Sequence, residues 1–420
     1  MPKISDQWLR DILSTLYQGR TSTRREIIRA TGLNGASVSH SLKHLLNSGT
    51  IVKVGELQST GGRKREVLKL NAEAGYFVAI DLEGTRIRIA LTNIIGDIRY
   101  RWEEDVEFGQ ELQIRKVADG IEMVLRNLDS RQRSRVLATG ISHPGIVDKA
   151  GRVTAFNVGW HKFPLREQLQ EAVGLPVFLE HAHRTCILAE RSLGCAQNID
   201  NCIYVMVGNG VGASIFSDGK PVGGRDQMAG EFGHIIIDPR AEDRCNCGKH
   251  GCLESIASSP NIIRQYLEKK TGKAVEHAFG ARVTEVFQAA RENDSVATEV
   301  LGRAAKSLGH GISYLINLFN PELIILGGDI LQGEDVLLPL IKKEAFQYAL
   351  PDFLLGLKIR ASSLGFDIGL KGATSLAFRN SLLDSVLLKK ICSPVSEMYT
   401  PAEHSRFKGR EHRLSSRSYF

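Results

Sequence analysis

No apolar run in the 420 residues is long enough to cross a bilayer, and the N-terminus has no signal-peptide core. These two absences point to a cytoplasmic protein. No internal repeat of solenoid type recurs along the chain. Cysteine is scarce and unevenly placed. Of seven residues, Cys186, Cys195, Cys202 and Cys392 are scattered and read as reduced thiols. A hydrophobic content of 42% and a charged content of 24% are ordinary for a globular protein. The length accommodates two or three domains with substantial cores.

The remaining three cysteines fall within eight residues, Cys245-Asn-Cys247-Gly-Lys-His-Gly-Cys252, with His234 eleven residues upstream. Three thiolates and one imidazole form a four-coordinate set, and Zn²⁺ prefers tetrahedral sulfur and nitrogen ligands. Gly248 and Gly251 let the backbone turn tightly enough to bring close cysteines onto one ion. The expected cofactor is therefore a structural Zn²⁺ held by His234, Cys245, Cys247 and Cys252, with no open position for catalysis. Such a loop holds Glu231, His234 and Glu254 near one another. Two carboxylates and an imidazole grouped in this way can hydrogen-bond the hydroxyls of a polar ligand such as a sugar.

The net charge of +7 is concentrated at one end. Residues 1–75 hold 12 Lys+Arg against 6 Asp+Glu, which suggests nucleic-acid contact. Apolar positions from Trp8 to Tyr17 recur at helical spacing, and Gly19 ends that helix. Thr23 and Glu26 form a capping box for a second helix that stops near Gly32. Asn34 caps a third helix, Gly35 to Asn47. Three short helices with a Gly32 turn read as a helix-turn-helix. Ser37, Ser39, His40 and Lys43 are the candidate groove-facing residues. Two β-prone runs, Ile51–Val54 and Val67–Leu70, flank Gly61-Gly62-Arg63-Lys64-Arg65, which reads as a wing carrying Arg63 and Lys64 to phosphates or the minor groove.

Glu231-Phe-Gly-His234 followed by Cys-x-Cys-Gly-x-x-Gly-Cys-x-Glu254 resembles the signature of the ROK family of repressors, open reading frames and sugar kinases. The Gly-Gly-Arg stretch is similar to the wing and linker of its repressors. The resemblance implies an actin-like, sugar-kinase α/β fold of two lobes with a sugar site in the cleft. It assigns sugar contacts to Glu231, His234 and Glu254. Phe156-Asn157-Val-Gly-Trp160 resembles the family's sugar loop and adds Asn157. Gly208-Asn-Gly210-Val-Gly212 resembles its second phosphate loop, and Asn320-Pro-Glu-Leu-Ile-Ile-Leu-Gly327-Gly328 its adenosine-side motif.

Two departures bear on chemistry. Asp81-Leu-Glu83-Gly-Thr85 is similar to the first phosphate loop, but Glu83 replaces a glycine and places a carboxylate where the triphosphate would lie. Glu180-His181-Ala182-His183 stands where the family's kinases have Glu-Asn-Asp-Ala, whose aspartate is the general base. Ala182 has no titratable group, and His181 replaces a sugar-binding asparagine.

These observations give an expected organisation of a winged helix-turn-helix over residues 1–72, a ROK sugar-kinase-like domain over 73–392 and a flexible tail over 393–420. The expected function is a sugar-responsive transcriptional regulator that binds operator DNA and a sugar or sugar-phosphate effector without phosphorylating it, as a homodimer or homotetramer. The alternative is a cytoplasmic ATP-dependent sugar kinase. The basic wing, Ala182 and Glu83 favour the regulator.

Overall fold

Each of the first three helices starts and stops where the sequence supplies a cap. They are α1 (Asp6–Gly19), α2 (Arg24–Thr31) and α3 (Gly35–Asn47). Ser5 accepts from the Gln7 amide, Thr23 and Glu26 form the reciprocal capping box, and Asn34 accepts from the Ser37 amide. Gly32 closes α2 in the left-handed region. Strands β1 (Ser22–Thr23), β2 (Ile51–Leu57) and β3 (Arg65–Leu70) form an antiparallel sheet of order β1-β3-β2 behind the helices. Among the described residues this is a winged helix-turn-helix. The structure, a computed structural model, describes residues 4–57, 65–83, 86–106, 114–155, 160–275 and 282–394, without the side chains of residues 56, 57 and 83.

The next segment carries β4 (Tyr76–Glu83), β5 (Arg86–Asn93), β6 (Ile98–Asp105), α4 (Ile114–Leu125), α5 (Ser130–Arg133), β7 (Val136–His143), β8 (Ile146–Val147), β9 (Val153–Ala155), β10 (Trp160–Phe163), α6 (Leu165–Val173), β11 (Val177–His181) and α7 (Ala182–Leu193). A second set follows: β12 (Cys202–Val207), β13 (Val211–Ser217), β14 (Lys220–Pro221), α8 (Leu253–Ala257), α9 (Ser259–Thr271), α10 (Val283–Arg291), α11 (Ser295–Phe319), β15 (Leu323–Gly327), α12 (Glu334–Tyr348), β16 (Lys358–Ala361), α13 (Ile368–Leu383) and α14 (Ser385–Cys392).

The two sets build the same sheet twice. The first has order β11-β7-β4-β5-β6 and the second β14-β13-β12-β15-β16. In each, three strands form an antiparallel meander, one later strand pairs in parallel with its first strand, and a second pairs in parallel with that one. Of the parallel strands, β15 is a continuous apolar run, as expected of a strand covered on both faces. β7 and β15 are buried along their whole length. This duplicated α/β architecture is the two-lobed, actin-like sugar-kinase fold that the motifs implied.

Helix α13 joins the lobes to the winged helix. It lies on the first sheet so closely that a side chain at Gly140 would collide with the Ala373 carbonyl, and one at Gly372 would strike the Thr185 carbonyl of α7. On its other side, Phe378 stacks on Tyr17 of α1, with ring centroids 4.0 Å apart. Phe378 also meets Phe77 of β4 edge-on. Leu9, Ile12, Leu13, Leu16 and Tyr17 of α1 therefore share one hydrophobic core with Phe77, Phe378, Leu382 and Leu388. The Tyr17 hydroxyl lies 3.1 Å from Ser375 Oγ, and Thr50 Oγ1 donates to the Ile391 carbonyl at 2.9 Å. Helix α14, which sequence reading left unassigned, packs into this shared core through Leu387, Leu388 and Ile391.

Candidate functional site: metal loop, ligand cleft and DNA-facing helix

The segment between β14 and α8 is short on regular structure, and a metal site is what can order it. Gly248 and Gly251 adopt positive φ, and the Cys245 amide bonds back to the Lys249 carbonyl. The ligand atoms of His234, Cys245, Cys247 and Cys252 all lie within 4.8 Å of one another. Cys247 and Cys252 sulfurs are 3.7 Å apart, and Cys245 Sγ is 3.6 Å from His234 Nδ1. A tetrahedron with metal–sulfur bonds of about 2.3 Å has edges of about 3.8 Å. The donor set and its edges thus fit a closed, structural metal site. The other nitrogen of His234, Nε2, faces Glu231 at 3.8 Å. A carboxylate behind a ligating imidazole fixes its orientation.

From this loop the candidate sugar contacts reach the cleft. Glu254 stands in the first turn of α8, two residues after the candidate ligand Cys252. Its Oε2 accepts the Val211 amide at 3.0 Å, and its Oε1 has no hydrogen bond among the described residues. The Glu231 carboxyl is raised above its ordinary pKa, first by burial, with His234 opposing and Glu254 adding to the rise. Glu231, His234 and Glu254 are thus brought together. Asn157 lies outside the described residues.

His181 ends β11 and caps α7, opposite His143 in the β11–β7 register. Its ring lies 4.0 Å from that of His183, and His143 stacks on Trp160. All three imidazoles are held neutral. His143 is lowered to about 4 and His181 to about 3, in each case mainly by burial. His183 is lowered by burial and then by His181 and Arg184. Ala182 is the first residue of α7, so no carboxylate projects from that position. Arg184 reaches across to Gln227 Oε1 at 3.1 Å and to the Gly223 and Ala229 carbonyls. It thereby secures the loop that leads to Glu231.

The glycine turn between β12 and β13 is lined by three side chains. A Cβ on Gly208 would lie 3.4 Å from Asp329 Oδ2, one on Gly210 2.9 Å from Glu254 Oε2, and one on Gly212 2.8 Å from His183 Nδ1. Asp329 is fixed by Ser259 Oγ at 2.9 Å. On the opposite lobe, Asp81 is paired with Arg88 at 2.5 Å. Arg88 is 2% exposed, also donates to the Phe366 carbonyl at 2.7 Å and lies over the Phe366 ring. The side chain of Glu83 is outside the described residues. Sequence reading missed His143, Arg88 and Asp329. Asp329 directly follows the Gly327-Gly328 pair and was open to inspection, whereas His143 and Arg88 gain meaning only from strand register.

On α3 the structure divides the candidate DNA contacts. Ser37 is 8% exposed and turns inward beside Val38 and Ser41, because its position lies on the buried edge of the helix. It is not on the groove-facing side. Ser39 is half-buried, and its hydroxyl donates to the Gly35 carbonyl at 2.6 Å. His40 is half-buried, while Ala36, Lys43 and Asn47 are exposed. The open stripe is thus Ala36, His40, Lys43 and Asn47, spaced at helical intervals. Arg63 and Lys64 lie outside the described residues.

A two-lobed sugar-kinase fold with a thiolate–imidazole metal loop, preceded by a winged helix, defines the class. A sequence model described as the ROK family matches residues 77–380, and the chain belongs to that family. A xylose repressor of Caldicellulosiruptor bescii is 30% identical over 364 residues, covering 84% of this chain and 90% of its own. A glucokinase of Halalkalibacterium halodurans is 33% identical over 308 residues, covering 71% of this chain and 93% of its own. Among solved structures, a ROK family transcriptional regulator described as a homolog of the E. coli MLC protein superposes with a TM-score of 0.75 at 28% identity. It covers 92% of this chain and 99% of its own. A ROK family glucokinase from Streptomyces griseus, solved with glucose and AMPPNP, gives 0.63 at 27% identity over 72% of this chain and 99% of its own.

Proposed function

We propose that this chain is a sugar-responsive transcriptional regulator that works in the cytoplasm, holds a structural Zn²⁺ and binds operator DNA as a dimer or tetramer through its winged helix. Its kinase-like body binds a sugar without phosphorylating it. The observation that carries this reading is the single core uniting α1 with α13, because it ties a DNA-binding unit to the helix that packs on α7 at the cleft. The extent of similarity agrees. The xylose repressor covers 84% of the chain and the glucokinase 71%.

The cleft supports binding without turnover. Glu231, His234 and Glu254 can exchange hydrogen bonds with sugar hydroxyls. Ala182 offers no base for removing a hydroxyl proton. Asp329 puts a carboxylate against the glycine turn, and Asp81 is already engaged by Arg88. The second feature leaves Asp81 unavailable to hold the Mg²⁺ of a bound triphosphate. A ligand that prefers one arrangement of the lobes shifts the population of winged-helix positions through α7 and α13. The test is selection of operator sequences from a random duplex pool by the full chain, repeated with a panel of sugars. A palindromic site whose occupancy one sugar changes is the expected result. Loss of all sequence preference, or equal binding by a chain lacking residues 1–72, would sink the reading.

A further inference from the structure

We infer that Glu190 is a hinge pin, a positioning residue whose carboxylate holds both chain crossings between the lobes and so sets how readily the lobes change arrangement. Its effect on the sugar response rests on the regulator reading, whereas the pin itself does not.

The chain passes from the first sheet to the second through residues 194–201, between α7 and β12, and returns through residues 362–367, between β16 and α13. Motion between two lobes is absorbed at such connections. Glu190 lies in the last turn of α7 and is fully buried. Its Oε2 accepts the Cys195 amide at 2.9 Å and the Cys195 thiol at 3.3 Å. Its Oε1 accepts the Ser362 hydroxyl at 2.5 Å. Cys195 stands at the start of the first crossing and Ser362 at the start of the second. A carboxylate taken out of water is costly unless hydrogen bonds replace its hydration. Glu190 therefore favours the arrangement in which both crossings reach it. The fit leaves no slack, because a side chain at Gly194 would collide with Glu190 Oε2.

The remainder of the second crossing is divided between the lobes. The Ser362 amide donates to the Leu326 carbonyl of β15 at 2.8 Å, in the second sheet. At the other end, Arg88 and Arg101 of the first sheet donate to the Phe366 carbonyl at 2.7 Å and to Asp367 Oδ2 at 2.8 Å. The Ser362 hydroxyl is thus where Glu190 joins a residue anchored on the second lobe to a helix of the first. That helix also bears on α1 of the winged helix and on α13. Arg184 at its opposite end secures the loop that leads to Glu231. One helix therefore touches the ligand loop, both crossings and the DNA-binding unit.

The experiment uses full-length, metal-loaded protein and hydrogen–deuterium exchange read by mass spectrometry. Ser362→Ala removes the hydroxyl that reaches Glu190 and adds no bulk, so the variant should fold. The diagnostic amides are Cys195 and Ala196 in the first crossing, whose acceptors on Glu190 the substitution leaves in place. Ser313→Ala is the control, since Ser313 is fully buried and its hydroxyl bonds to the His310 carbonyl within α11. Ser362→Ala should speed exchange of the first crossing about tenfold or more, the effect of losing one hydrogen bond to a charged group. Ser313→Ala should leave it unchanged. Operator titrations with xylose, glucose and N-acetylglucosamine in turn give the second readout. The ratio of operator affinities with and without the effective sugar should change about threefold or more in Ser362→Ala and stay as it is in Ser313→Ala. Unchanged exchange of the first crossing in Ser362→Ala, or an equal rise in Ser313→Ala, would overturn the pin and leave the regulator reading standing. Faster exchange, with operator binding by the unaltered protein indifferent to all three sugars, would support the pin and count against the regulator reading. Faster exchange with the same sugar response in both variants would overturn the pin's control of that response.

Discussion

Replacing Tyr17 with phenylalanine removes one hydroxyl from the contact between the winged helix and the kinase-like body. Burial raises the Tyr17 pKa to about 12, so the group is a neutral phenol. Ser375 Oγ donates to the Lys371 carbonyl at 3.0 Å, so Tyr17 is the donor in the 3.1 Å contact with Ser375. Tyr17→Phe leaves Ser375 bonded to Lys371 and orphans nothing, so it should cost only a net hydrogen bond, about 0.5–1.5 kcal/mol. Ser375→Ala instead strands a buried hydroxyl and should cost about 1–3 kcal/mol. Adding Tyr17→Phe to Ser375→Ala should then recover part of that loss, giving a coupling of about 1 kcal/mol in a double-mutant cycle. Urea unfolding measures the cycle. Operator titration with and without sugar measures its consequence, a sugar response altered about 2- to 12-fold by the loosened contact. Strict additivity together with an unchanged sugar response would refute the reasoning.

Metal analysis of protein purified without chelator should find about one Zn²⁺ per chain. Cys247→Ser should lower both thermal stability and ligand affinity, because Glu254 follows Cys252 on the same loop. Stability should fall with acid. His143, His181 and His183 are neutral when folded and accept protons near pH 6.5 when unfolded. Their contribution is therefore complete above about 6.5 and is lost as pH falls towards 4 and 3. For His143 alone this is about 3 kcal/mol. His143→Gln should flatten the slope of melting temperature against pH in that window. Lys43→Ala should weaken operator binding and reduce its salt dependence, and changes at Ala36 or His40 should alter sequence preference. Neutralising Arg63 and Lys64 should weaken binding to every duplex. Fluorescence anisotropy across a salt series separates these cases.

Local signals carried the sequence reading far. Thr23, Glu26, Gly32 and Asn34 placed helix ends correctly because caps act within one turn. The Cys/His spacing located four ligand atoms within one short loop for the same reason. The reading failed where distant segments meet. Ser37 looked polar and available, but the packing of α3 against α1 and α2 buries it. The duplicated sheet left no readable repeat, because strand order depends on pairing partners far apart in sequence. Arg88 carries no local signal in the sequence, and only the β4–β5 register places it beside Asp81. Helix α14 has few turns of its own and is stabilised by the winged-helix core, which periodicity cannot show.

The central claim is sensing without phosphoryl transfer. Its most direct test is a coupled assay with Mg-ATP, using whichever sugar or charged derivative shifts the melting temperature of the full chain. General-base loss alone slows transfer by about 10²–10⁴-fold, so saturable binding with turnover at least that far below a working kinase is the predicted result. Turnover at an ordinary kinase rate of about 1–100 s⁻¹, abolished by His181→Ala or His183→Ala, would contradict the account and make a histidine the base of an active sugar kinase.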